Sequence, residues 1–92
     1  SSQTWESSNP MAEFSKLSGL VQESPRTVVM DQTETYLHAE ASSAFFGFVD
    51  DLELFADRDN NRIQARSESR LGDSDLGVNA ARLAALRSGL ES

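Results

Sequence analysis

Apolar residues recur at helical spacing near both ends of the chain and at strand spacing between them. Met11, Phe14, Leu17 and Val21, with Leu20 beside them, fall three and four apart. That is the repeat of one helix face and predicts an amphipathic helix over residues 10–23. Asn9 before Pro10 is its start signal, because an Asn side chain caps free N–H groups and proline fits the first turn. Glu13 suits the positive end of the helix dipole. Gly19 weakens the helix by about 1 kcal/mol relative to alanine. Ser24-Pro25 ends it, since the residue before proline is driven out of the α region. Toward the other end, Val78, Ala81, Leu83, Leu86 and Leu90 predict a second helix over 78–90, with Arg82 and Arg87 on its wet face.

Between the helices the period falls to two. Thr27–Met30 is a short β-branched run, and Tyr36–Ala41 follows the polar turn Asp31–Glu34. Phe45–Phe55 is a longer strand candidate. Arg62–Arg70 alternates strictly, with Ile63, Ala65, Ser67 and Ser69 on one side and Arg62, Gln64, Arg66, Glu68 and Arg70 on the other. The dense turn signal Asp57–Asn61 joins 48–56 to 62–70 as a hairpin. Short connections favour antiparallel pairing, because parallel strands need long crossovers. The expected fold is therefore α+β: a two-layer sandwich of a four-stranded antiparallel meander with an N-terminal and a C-terminal helix on one face. Phe14, Leu17, Val29, Leu37, Phe48, Leu52, Leu54, Ile63, Leu83 and Leu86 are the expected core. Residues 1–8 are polar apart from Trp5 and read as a flexible lead-in on which only Trp5 offers an area to bury.

Composition narrows the function classes. At 92 residues the chain has the length of a single domain. It has no cysteine, which removes disulfides, thiolate catalysis and Cys-ligated metal. Eight basic against 15 acidic residues leave a net charge of −7. Non-specific nucleic-acid or anionic-lipid binding is not expected on that ground, since both need a basic surface. No run approaches a membrane span, so no direct membrane insertion of this segment is expected. The partners left open are a protein or a small anionic ligand.

The candidate chemistry lies on the polar sheet face. By period two, Tyr36, His38 and Glu40 share a side of their strand, and Asp51, Glu53 and Phe55 a side of the next. If the strands are neighbours, Asp51 and Glu53 face Arg62 and Arg66. Such a face is ordinarily a solvated, salt-bridged surface. The sharper alternative makes His38 a base oriented by a carboxylate. A metal reading would join His38, Glu40, Asp50, Asp51 and Glu53, but Asp50 and Asp51 point to opposite faces of a regular strand, and no metal or cofactor is expected. Asp57–Asn61 lacks the glycine and distal glutamate of a calcium loop. Ser67, Ser69 and Ser74 belong to no nucleophile elbow, and small-residue packing accounts for Ser67 and Ser69. The run Phe45-Phe46-Gly47-Phe48 reads as core and edge, not as a base-stacking platform. Ser74 and Asp75 are natural caps for the last helix, near Asn79. The same helix end, with Arg66 and Arg70 as a clamp, would attract an anion, but Asp73 and Asp75 already put negative charge there. The expectation is that Asp75 or Ser74 caps the helix and that Arg70 pairs with an internal carboxylate.

Four blocks occur in series: Tyr36–Glu40 (YLHAE), Phe48–Glu53 (FVDDLE), Arg66–Gly72 (RSESRLG), and Ser74–Asn79 (SDLGVN) with Arg82. This series resembles the family called domain of unknown function 1499, and Ser1-Ser2-Gln3 resembles the end of a Cys-Val-Ser-Ser-Gln segment of that family. Glu68 stands where a small residue is usual, and Asp73 where an aromatic is common. The resemblance implies a compact α+β domain and no established activity, substrate or cofactor. It also implies an exported or membrane-tethered location through an upstream segment missing from this chain. Two functions stand side by side. One is a non-catalytic binding or interaction module. The alternative is a small enzyme or an anion- or metal-binding protein built around His38. The candidate residues are His38, Glu40, Asp51, Glu53, Arg66, Arg70, Asp75 and Asn79.

Overall fold

Asn9 acts as its place before Pro10 implies: its side chain accepts the Ala12 N–H at 3.2 Å, and its carbonyl accepts that of Glu13. The first helix, α1 (Pro10–Glu23), runs from there to Ser24, whose hydroxyl donates back to the Leu20 carbonyl. The computed structural model describes residues 1–43, 47–71 and 76–92. In it the chain forms β1 (Ser2–Glu6), α1, β2 (Thr27–Gln32), β3 (Tyr36–Ser42), β4 (Val49–Asp57), a 3-10 turn at Arg58–Asn60, β5 (Arg62–Ser69) and α2 (Val78–Glu91). The strands make one antiparallel sheet in the order β1-β5-β4-β3-β2.

The fold is α+β with two helices on an antiparallel sheet, but the sheet has five strands, not the four expected. The extra strand is β1, inside the stretch read as a flexible lead-in. It pairs with β5 from Ser2 opposite Arg66 to Glu6 opposite Arg62. Its one large apolar side chain, Trp5, is 4% exposed and sits opposite Ile63 on the core side. The Trp5 indole N–H donates to Gln3 Oε1 at 2.8 Å, so its polar edge is satisfied beside the core. The Arg87 guanidinium lies 5.5 Å from the ring centroid.

Both helices cover the face that carries Leu37, Leu52, Leu54, Ile63 and Ala65. Phe14, Leu17 and Val21 of α1 and Leu83 and Leu86 of α2 fill the space between the layers, and Val29 packs at its margin. The helices approach closely at Gly89, where an added Cβ would stand 3.0 Å from the Leu20 side chain. Three expectations fail on this face. Phe48 is in phase with Leu52 and Leu54 yet is 51% exposed, because β4 begins only at Val49. Phe48 belongs to the connection from β3, where its N–H donates to the Ser43 hydroxyl oxygen and its carbonyl accepts the Ser43 N–H. Val78 and Ala81 are exposed, and Asn79 turns inward instead. Arg82, placed on the wet face by its charge, also turns toward the sheet, where a carboxylate meets it. Phe45, Phe46, Gly72, Asp73, Ser74 and Asp75 lie outside the described residues, and with them the expected cap of α2. Gly77 precedes that helix with φ +80°, a conformation glycine adopts without a Cβ clash. Among the described residues no helix is long and apolar enough to cross a membrane.

Candidate functional site

Alternation along three neighbouring strands assembles the site on the sheet face away from the helices. Tyr36, His38 and Glu40 come from β3, Asp51 and Glu53 from β4, Arg66 from β5, and Arg70 from just beyond it. The registers set His38 opposite Glu53, Glu40 opposite Asp51, and Glu53 opposite Arg66. Asp51 faces Glu68 directly, a like-charge pairing that disfavours the sheet on its own. Arg70 relieves it: Nε donates to Asp51 Oδ2 at 2.9 Å, and Nη2 donates to Asp51 Oδ1 at 2.8 Å and to Glu40 Oε2 at 2.6 Å. His38 Nε2 lies 2.8 Å from Asp51 Oδ1. An ionised carboxylate only accepts, so that ring nitrogen carries the hydrogen. His38 Nδ1 is 3.9 Å from Asp31 Oδ2 at the sheet margin.

A second chain of bonds runs beside the first. The Tyr36 hydroxyl donates to Glu53 Oε2 at 2.6 Å, and Arg66 Nη1 donates to Glu53 Oε1 at 2.7 Å. Arg62 joins neither: it pairs with Asp57, its cross-strand neighbour, instead of with Asp51 or Glu53. The two chains border a shallow depression of about 380 Å³ lined by Tyr36, His38, Asp51, Glu53, Arg66 and Arg70.

The titrations follow from these bonds. Hydrogen bonds from Arg70, then from His38, hold the Asp51 carboxyl well below the usual carboxylate range despite partial burial. Donation from Tyr36, then from Arg66, lowers that of Glu53. Arg70 is held protonated above its ordinary value by Asp51 and then Glu40. The Tyr36 hydroxyl is pushed up to about 12, first by its bond to Glu53 and then by desolvation. Its folded value thus lies above its unfolded one, so its contribution to stability is complete below about 10 and is lost as pH rises toward 12. Tyr36 is the only tyrosine in the chain. Phenolate absorbance at 295 nm therefore reads this group, and Glu53→Ala is expected to bring the midpoint back toward the ordinary tyrosine value. An unchanged midpoint in that variant would assign the shift to burial.

The structure brings together His38, Glu40, Asp51, Glu53, Arg66 and Arg70, and adds Tyr36. It separates Asn79, which is in the first turn of α2 on the opposite side of the sheet and is fully buried. Asn79 Oδ1 accepts from the Ser67 hydroxyl at 2.5 Å and from Arg82 Nη1 at 2.8 Å, and its Nδ2 donates to Ser69 Oγ at 3.3 Å. The same Arg82 nitrogen donates to Asp50 Oδ2 at 2.9 Å and to Ser67 Oγ at 3.1 Å, and Ser69 donates to Asp50 Oδ1. Ser67 and Ser69 are thus members of a hydrogen-bonded network, not merely small side chains that pack. One signal pointed to it: a carboxylate at Asp50, in phase with Leu52 and Leu54, needs a cation on the core side. Asp75 lies outside the described residues. Among the described residues no three His, Asp or Glu side chains converge as a metal site, and Asp50 faces away from Asp51.

The family model described as Protein of unknown function (DUF1499) matches residues 1–90, and the chain belongs to that family. Comparison with curated proteins and with solved structures gives no match.

Proposed function

We propose that this member of the DUF1499 family is a non-catalytic binding module whose contact surface is the uncovered sheet face, and that its partner is a polypeptide bearing basic side chains. The observation that supports this most is the charge laid out on that face. Asp31, Glu40, Asp51, Glu53, Asp57 and Glu68 outnumber Arg62, Arg66 and Arg70, and among the described residues no element covers them. Phe55, 40% exposed, and the ring of Tyr36 add apolar area beside the carboxylates. Aromatic residues among paired charges are a usual feature of protein interfaces. The acidic excess steers a cationic partner and repels nucleic acid.

A second reading, a small enzyme with His38 as base, draws on the 2.8 Å contact with Asp51. Arg70 weakens it, because it donates two bonds to the same carboxylate, which therefore serves the guanidinium as well as the ring.

Titration of the ¹⁵N-labelled chain with an oligolysine peptide tests the proposal. Shift changes are expected at Tyr36, His38, Glu53, Gln64 and Arg66, and Glu40→Gln/Glu53→Gln should weaken binding more than Glu13→Gln/Glu23→Gln on α1. Equal loss in the two pairs, or shifts spread over both helices, would overturn it.

A further inference from the structure

The helix layer holds a cleft whose lining departs from the charge of the rest of the molecule. It lies where the end of α1, the start of β2, the end of β3 and the side of α2 meet, and encloses about 340 Å³. Leu20, Leu52 and Leu86 make it apolar. Arg26 and Arg82 also line it, and among the described residues no Asp or Glu does, in a chain with nearly twice as many acidic as basic residues. Both guanidiniums have donors to spare. Arg26 donates through Nε to the Ser42 carbonyl at 3.2 Å and, among the described residues, pairs with no carboxylate. The described bonds of Arg82 all run through Nη1. Asp50 offsets the charge of Arg82, but among the described residues no carboxylate offsets that of Arg26. Arg26 also holds φ +53°, a left-handed backbone that a residue with a Cβ adopts at a cost. That cost places a guanidinium at a position where the local geometry favours Gly or Asn.

We propose that this cleft binds a small amphiphilic carboxylate, its hydrocarbon body against Leu20, Leu52 and Leu86 and its carboxylate on Arg26, with Arg82 as the second donor. Few convergent polar groups on an apolar cavity are the usual composition of a small-molecule site. A guanidinium recognises a carboxylate through paired N–H donors, which fixes the head and leaves the tail to burial. The inference is independent of the reading of the open sheet face, since the cleft is on the other side of the sheet.

Sodium octanoate below its micellar range is the probe, followed by calorimetry and by amide shifts. Saturable one-to-one binding is expected, with shifts at Ala41, Ala85 and Leu86. Arg26→Asn, which suits the left-handed backbone and keeps the fold, should weaken octanoate at least tenfold. Ala85→Trp, which fills the cleft from an exposed helix position, should abolish binding, and a thermal melt of each variant checks that it is folded. Octanol should bind at least tenfold more weakly than octanoate. Equal binding of octanol, unchanged affinity in Arg26→Asn, or no saturation would overturn the proposal. Tenfold tighter binding of octyl phosphate would overturn the assignment of a carboxylate head.

Discussion

Replacing Leu54 by alanine is expected to lower the stability of the chain by about 2–5 kcal/mol. Leu54 is fully buried on β4, the central strand of the five. Its cross-strand neighbours are Leu37 on one side and Ala65 on the other, and the helix layer closes over it. Truncation removes the transfer free energy of the side chain and leaves a cavity that strands held on both edges cannot collapse to fill. A chain of this size has only one modest core, and domains of this kind are stable by about 5–15 kcal/mol in total. The variant should therefore unfold at much lower urea with an unchanged m-value. A loss under about 1 kcal/mol would mean that the centre of the sheet is loosely packed.

Arg82→Ala carries the second large effect, expected at about 1–3 kcal/mol, the usual cost of stranding a buried polar group. One nitrogen of Arg82 serves Asp50, Ser67 and Asn79 at once. Without it Asp50 keeps the Ser69 hydroxyl but loses its counter-charge, while little of that carboxylate reaches solvent. Full burial would raise the penalty further, but Arg82 itself is about one-fifth exposed and water screens the pair in part. Two comparisons isolate the cause in urea melts. Arg70→Ala, on the exposed face, should cost less, and the double variant Arg82→Met/Asp50→Asn should recover most of the loss. Equal costs at Arg82 and Arg70 would show that the network contributes no more than a surface ion pair.

The same contrast explains what was legible beforehand. Strand β5 declares itself because every second residue from Arg62 to Arg70 is polar and long while those between are small or apolar. The open-face residues followed from that alternation once the strands were set side by side, and Arg70 does pair with internal carboxylates. Arg82 was misplaced because helix periodicity ranks it by charge, whereas its position depends on Asp50 across the gap between layers, 32 residues away. Strand β1 was missed for a different reason. Ser2, Gln3 and Thr4 carry no periodic apolar signal, and an edge strand with a single buried side chain needs none, because β5 supplies the ladder. Phe48 shows the limit of phase: two-residue alternation says which way a side chain points along a strand, not where the strand begins.

Strand β1 also sets the order in which the sheet can close. From β3 through β5 each strand pairs with the one before it, so those contacts need only short loops. Pairing Trp5 with Ile63 joins positions almost sixty residues apart. The entropy of closing a loop rises with its length, and contacts distant in sequence slow folding. The last pairing to lock is then expected to be β1 on β5, after the meander has presented its free edge. Trp5 is the only tryptophan in the chain. Its fluorescence in a refolding experiment therefore clocks the docking of one edge strand, while far-ultraviolet dichroism follows the helices and meander that form ahead of it.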